Sequence, residues 1–306
     1  MLNIYRNNLE IRTHKIELEN KSVELYIRRE DLIHPIISGN KYRKLKYNIH
    51  QAIKEKHTTL LTFGGAYSNH IDALAFAGMQ NNLKTIGIIR GEELKDKINE
   101  NPTLSFAKQC GMKFEFVSRE SYREKNEAGF LENLKSKFGS FYLLPEGGTN
   151  ELAIKGCEEI LSTNDSVYDY ICCAVGTGGT ITGIINKSSD CQKVLGFPAL
   201  KEDFLQKDIS KFAKKNNWNL IRTYHFGGYA KITIELINFI NQFNKENKIL
   251  LDPVYTGKLV FGVIDMITKD YFPKNSKILI IHTGGLQGIH GMNLKLKQKG
   301  FPIIEQ

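Results

Sequence analysis

The chain has 306 residues, 41% of them hydrophobic and 25% charged, with 26 Gly and only 7 Pro; this excludes a disordered chain and predicts a large buried core in about two domains. Its 42 Lys and Arg against 33 Asp and Glu leave a net charge of +9, but stretches such as KEDFLQKDISKFAKKNNWN (201–219) mix the cations with Asp, Glu and Asn, as on a solvated surface rather than a nucleic-acid face. No apolar run reaches the ~18–20 residues of a membrane span and the N-terminus lacks an apolar signal core, so a cytoplasmic protein is expected.

Taken in chain order, VELYIRRED (23–31) predicts a strand and KYRKLKYNIHQAIKEK (41–56) a helix. TTLLTFGG (58–65), KTIGIIRG (84–91) and KFEFVS (113–118) predict strands, and SYREKNEAGFLENLKSKF (121–138) a helix. FYLLPEGG (141–148), DYICCAVGTGG (169–179) and KVLGFPAL (193–200) read as strands, YAKITIELINFINQFNKEN (229–247) as a helix and KILIIHTGG (277–285) as a strand. Strands alternating with helices predict an open, mainly parallel α/β sheet with helices on both faces. The cysteines Cys110, Cys157, Cys172, Cys173 and Cys191 form no C-x-x-C pair, which argues for reduced thiols and against a disulfide framework. No cluster of His, Cys and acidic residues has metal-ligand spacing, so no metal is expected.

Paired glycines follow four strands, at Gly64-Gly65, Gly147-Gly148, Gly178-Gly179 and Gly284-Gly285, each ahead of a helix-like segment. In open α/β sheets ligands sit beyond the carboxyl ends of strands, where glycine lets backbone approach them closely. AVGTGGTITG (174–183) could cradle a phosphate, because the amides at a helix start lack internal partners and lie at the positive end of its dipole. The dinucleotide fingerprint fails, since Ile181 stands where its last Gly would be, and a Walker A loop fails because Gly183-Ile184 replaces Gly-Lys. A phosphate without a nucleotide remains. Together with Lys41, which directly follows the Ser38-Gly39-Asn40 turn, it suggests pyridoxal 5′-phosphate, whose aldehyde condenses with a lysine amine.

REDLIHPIISGNKYRKL (29–45) resembles the R-E-D…G-G-N-K-x-R-K-L signature of the D-cysteine desulfhydrase and 1-aminocyclopropane-1-carboxylate deaminase family, pyridoxal-phosphate enzymes of the tryptophan synthase β-like fold (fold type II). GGAYSNHIDALA (64–75), PEGGTNELAIKG (145–156), AVGTGGTITG, LDPVYTGKLVFG (251–262) and IIHTGGLQG (280–288) resemble further family motifs in the same order. The resemblance implies that Lys41 is the lysine joined to the cofactor and that Lys44 has no covalent role. It implies that Gly176, Thr177, Gly178, Gly179 and Thr180 hold the phosphate, Asn69 the phenolic oxygen and Thr283 the pyridine nitrogen. Ser68, Asn69 and His70 would bind the substrate carboxylate, with Tyr255, Thr256 and Tyr229 on the substrate side; Lys41, Ser68 and Tyr255 would be the catalytic set.

Two domains are implied, a large one from 1–47 and 152–306 and a small one from 48–151, with the cofactor between them in a homodimer acting on a small amino acid. Ser38 replaces the first Gly of the G-G-N-K signature, and Ile71-Asp72-Ala73 replaces the x-R-Q that follows S-N-H in many desulfhydrases. Thr256 and Thr283 stand where the ring-opening deaminases carry Glu and Leu, so the resemblance favours desulfhydration of D-cysteine. Ring-opening deamination and elimination from another small D-amino acid are the alternatives. His225 and His282 read as packing residues.

Overall fold

A computed structural model describes residues 11–19, 21–201 and 204–306. The strands are β1 (Thr13–Ile16), β2 (Glu24–Arg28), β3 (Thr59–Gly64), β4 (Lys84–Arg90), β5 (Lys113–Val117), β6 (Tyr142–Leu144), β7 (Tyr170–Val175), β8 (Lys193–Pro198), β9 (Trp218–Leu220) and β10 (Lys277–Ile281). The α-helices are α1 (Asn40–Lys54), α2 (Asn69–Gln80), α3 (Pro102–Gln109), α4 (Ala128–Phe138), α5 (Glu151–Glu158), α6 (Gly179–Lys187), α7 (Phe204–Ser210), α8 (Ile234–Asn247), α9 (Thr256–Thr268) and α10 (Gly288–Gln298). They build two sheets, one in the order β1-β2-β10-β7-β8-β9 and one in the order β5-β4-β3-β6. All pairings are parallel except that of β1 with β2.

The central strands β3 and β7 are buried along their whole length, as expected of parallel strands covered on both faces, and their sequences are correspondingly apolar for the most part. The strand order in each sheet reverses beside them. In the smaller sheet β4 and β6 flank β3 on opposite sides, and in the larger one β8 and β10 flank β7. Loops leaving β3 and β6, and those leaving β7 and β10, therefore diverge at two switch points where an open α/β sheet leaves a crevice.

Helices carry the chain between the sheets. The expected boundaries at 47/48 and 151/152 both fall inside helices, α1 and α5, which pack against each other so closely that a Cβ on Gly156 would lie 2.0 Å from the Arg43 carbonyl oxygen. Buried Arg43 grips Glu30 through Nε (2.9 Å) and Nη2 (3.0 Å), tying α1 to the loop that follows β2.

Two predicted helices are shorter than their sequences suggest. Within 121–138 only Ala128–Phe138 is α-helical; Tyr122, packed on Phe63 and bonded to Glu146, holds a separate 3₁₀ turn over Ser121–Glu124. Tertiary contact overrides propensity here. Likewise α8 begins at Ile234, where the Thr233 hydroxyl accepts from the Leu236 N–H (3.2 Å), and leaves Tyr229 in a loop. Strands β1 and β9 are short and half-exposed, without the apolar runs that mark the others.

Candidate active site

Between the two switch points lies a cluster of buried cations. The turn before α1 needs glycine: Gly39 has φ +61° and a Cβ there would sit 1.9 Å from the Thr283 carbonyl oxygen. That same oxygen accepts the Asn40 N–H (3.2 Å), and the Asn40 side-chain amide donates to Thr180 Oγ1 (2.9 Å). The loops after β2, β7 and β10 are thereby locked together around the first turn of α1. Ser38 is accommodated, its hydroxyl donating to the Asp31 carbonyl (3.2 Å).

Lys41 and Lys44 are three residues apart on one helical face and converge on the loop after β6. Both Nζ atoms donate to the Gly147 carbonyl, at 3.3 Å and 3.0 Å, and Lys44 also reaches Thr149 Oγ1 (3.0 Å) and Thr177 Oγ1 (3.4 Å). Neither lysine has a carboxylate partner among the described residues. Burial first, and then the charge of Lys44, hold the Lys41 amine well below the usual lysine range; Lys44 is depressed by burial.

The loop after β3 closes one side. Ser68 caps α2, its hydroxyl oxygen accepting from the His70 (3.2 Å) and Ile71 (3.4 Å) N–H groups, and it retains its own O–H for donation. Asn69 packs on the glycine loop after β10, its Nδ2 lying 2.8 Å from where a Gly285 Cβ would stand. His70, 1% exposed, has Nε2 3.0 Å from Thr62 Oγ1, and Thr62 donates its hydroxyl proton to the Leu144 carbonyl (2.9 Å). His70 Nε2 must then be the donor, which leaves Nδ1 as a bare lone pair, buried and without a partner. Burial and the charges of Lys41 and Lys44 keep this imidazole neutral, pushing its pKa well below the usual value.

A tyrosine pair closes the other side. Tyr255 lies against the loop after β7, its hydroxyl 3.3 Å from the position of a Gly176 Cβ, and its ring meets Tyr229 edge-on with centroids 6.2 Å apart. Burial, then Tyr229 and Asp252, push the Tyr255 hydroxyl well above its usual value, so it stays protonated. Tyr255 is aimed by Asp252, whose carboxylate accepts from the Val254, Tyr255 and Thr256 N–H groups and from the Thr256 hydroxyl (2.8–2.9 Å).

Lys41, Ser68, Asn69, His70, Gly176–Thr180 and Tyr255 thus come together, with Tyr229 at the rim, 47% exposed. Thr283 supplies the carbonyl that fixes Asn40 and is itself 7% exposed. Thr256 does not reach the cleft: it is fully buried, donating to Asp252 Oδ2 and accepting from the Asp252 N–H, so it serves to aim Tyr255 and is not placed to touch a substrate. His282 is a packing residue, its Nε2 on the Leu250 carbonyl (2.7 Å) and its Nδ1 accepting from Gly284 N–H (3.2 Å). Sequence reasoning missed Lys44 and Thr149 as site residues. The three-residue spacing from Lys41 was the available signal for Lys44; Thr149 had none beyond its neighbouring glycines.

These residues fit a phosphorylated cofactor. Two lysine amines without an acid partner among the described residues meet at the Gly147 carbonyl, and Lys44 also reaches Thr177 of the Gly176–Thr180 loop, where Gly178 is left-handed (φ +83°) and α6 begins at Gly179 with its free amides. A Cβ on Gly179 would lie 3.1 Å from Lys44 Nζ and one on Gly147 2.8 Å from the Thr177 methyl, so side chains there would fill the cradle. A dianion supplies the charge that this arrangement lacks.

Residues 7–284 match the family model described as pyridoxal-phosphate dependent enzyme. The chain is 33% identical to the mitochondrial bifunctional D-cysteine desulfhydrase/1-aminocyclopropane-1-carboxylate deaminase of Arabidopsis thaliana, over 87% of this chain and 73% of that one. It is 31% identical to a putative 1-aminocyclopropane-1-carboxylate deaminase of Thermotoga maritima, over 91% and 94% of the two chains. The crystal structure of an ACC deaminase homologue superposes with a TM-score of 0.79 at 27% identity, covering 95% of this chain and 94% of that one. The chain therefore belongs to the pyridoxal-phosphate-dependent enzymes, of tryptophan synthase β-like fold.

Proposed function

We propose that the protein is a D-cysteine desulfhydrase, converting D-cysteine and water to pyruvate, ammonia and hydrogen sulfide. Pyridoxal 5′-phosphate, when bound, supplies the aldehyde that captures an amino group and the ring that accepts charge from Cα. Lys41 is the residue that would carry it. Lys44, Thr177, Thr180 and the amides of Gly176–Gly179 would hold the phosphate, with Asn69 and Thr283 at the ring's oxygen and nitrogen. The amides opening α2, shaped by the Ser68 cap, would take the substrate carboxylate.

Burial depresses the pKa of the Lys41 amine, which favours its neutral form and suits it to take the Cα proton as a base. The sulfur then leaves Cβ as thiolate, a departure that needs no proton. Tyr255, kept protonated by burial, would orient the leaving sulfur as a hydrogen-bond donor.

One observation carries the choice of substrate. The carboxylates whose charges reach Tyr255 are Asp252 and Glu146, and both are committed. Asp252 is held by four donors, and Glu146 by the Tyr122 hydroxyl (2.8 Å) and Lys125 (3.3 Å). A cleft of hydroxyls and amines suits a thiolate, which departs unprotonated; opening a cyclopropane leaves a carbon that must be protonated, and the raised pKa of the Tyr255 hydroxyl disfavours its giving up that proton. The names of the relatives favour the ring-opening deaminase as the second reading.

The two separate in one assay, with purified holoenzyme given D-cysteine and 1-aminocyclopropane-1-carboxylate in parallel. Sulfide and pyruvate from the first, without 2-oxobutanoate from the second, is the expected result. The reverse pattern overturns the assignment. Lys41→Ala is expected to abolish turnover of either substrate.

A further inference from the structure

The loop that presents Tyr229 is strained and has no sheet to hold it. Phe226 (φ +53°), Gly227 (+91°), Gly228 (+119°) and Ala230 (+54°) all have positive φ, a region that residues other than glycine rarely adopt without strain. Within the turn the Gly228 N–H bonds the His225 carbonyl (3.0 Å), and the His225 ring accepts the Gly227 N–H (3.0 Å). Two side chains anchor this turn to the body of the protein: Phe226 packs edge-on against Phe261 of α9, with centroids 5.0 Å apart, and a lysine binds its carbonyls. Lys258, 2% exposed on the first turn of α9, sends Nζ to the carbonyl oxygens of His225 and Gly228, both at 2.9 Å.

Lys258 has no ion-pair partner among the described residues; its charge is spent on two carbonyls at the ends of the turn, directly before Tyr229. Charge-assisted bonds of this kind are roughly twice as strong as neutral ones. The same helix start fixes the other tyrosine, since the Asp252 carboxylate bonds the Tyr255 and Thr256 amides. Two opposite buried charges, six residues apart, thus hold the two phenols that meet edge-on in the cleft.

We propose that Lys258 is a positioning residue, which acts through Tyr229 by clamping the 225–229 loop so that its phenol meets Tyr255 and forms the substrate-side wall. The proposal rests on the reading of that cleft as the substrate site. The test uses holoenzyme as wild type, Lys258→Met, Lys258→Arg, Tyr229→Ala and the double variant Lys258→Met/Tyr229→Ala. Hydrogen exchange of amides 226–230 and D-cysteine kinetics are read for each.

In Lys258→Met, exchange at 226–230 should accelerate while that of the β7 and β10 amides is unchanged, and kcat/KM should fall about tenfold, mainly through KM. Lys258→Arg, which retains a cationic donor, should recover most of both. The double variant should be no worse than Tyr229→Ala alone, because a residue acting through Tyr229 has nothing further to lose once that side chain is gone. Unchanged exchange in Lys258→Met, or losses that add in the double variant, overturns the proposal. Accelerated exchange in a protein whose wild type does not process D-cysteine leaves the clamp standing and overturns the substrate assignment instead.

Discussion

Lys44 and Lys41 share one carbonyl, yet their predicted roles differ. Lys44 also reaches Thr149 and Thr177, which puts it beside the loop proposed to hold the phosphate. Replacing it with Met removes a charge-assisted contact of about 1.5–3 kcal/mol, so cofactor affinity should fall about 10–100-fold in an absorbance titration. Asp72 shows the opposite situation. It is 6% exposed, without a hydrogen-bond or ion-pair partner among the described residues, and it lines a cavity of about 450 Å³ beside Asp31 and Ser38. Burial raises its pKa from 3.8 to about 7, so the folded state holds a proton that the unfolded chain releases. This term favours folding at low pH and is lost as pH rises from 3.8 to about 7. Asp72→Asn should therefore stabilise the protein by ~1–3 kcal/mol at pH 8 and change little at pH 4, as read from urea midpoints. The motif comparison drew attention to this position, but only its burial says what the substitution does.

At the scale of elements, the helices between the two sheets depend on close backbone approach. Gly156 admits the Arg43 carbonyl between α1 and α5, and Gly183 admits Cys157 and the Ile154 carbonyl between α5 and α6. A methyl group at 156 has only 2.0 Å, so Gly156→Ala should cost at least about 2 kcal/mol, visible as a lower urea midpoint with the m-value retained. Which elements the sequence revealed follows from how each is stabilised. Strands β3, β7 and β10 declare themselves because burial on both faces favours predominantly apolar runs, interrupted in β3 only by threonines such as Thr62, whose hydroxyl finds a carbonyl partner. THKI and WNL, at the two edges of the larger sheet, carry no such demand and passed unseen. The loop ahead of α8 was read as helix because IELINFINQF has the periodicity, while its boundary is set by the Thr233 cap and by the Lys258 clamp far away in sequence. The glycines and the SNH stretch mark loops that the fold brings together around α1; that Thr256 turns inward, that His70 offers a bare nitrogen and that Thr149 joins Lys44 are consequences of packing between distant segments.

On the scale of the whole molecule, both sheets contribute to one cleft, with α1 and α5 bridging them. A ligand gripped by loops from both should stabilise the whole chain by mass action, about 3–4 kcal/mol at 100 to 1,000 times its dissociation constant. Heat denaturation with added pyridoxal 5′-phosphate should shift upward as a single transition, and the shift should shrink in Lys44→Met. The most direct measurement is chemical. Holoenzyme reduced with borohydride, digested and mapped by mass spectrometry fixes the cofactor to the amine it was bound to. A phosphopyridoxyl group on Lys41 and none on Lys44 is expected; a label on Lys44, or on any lysine outside the cleft, would overturn the role of Lys41.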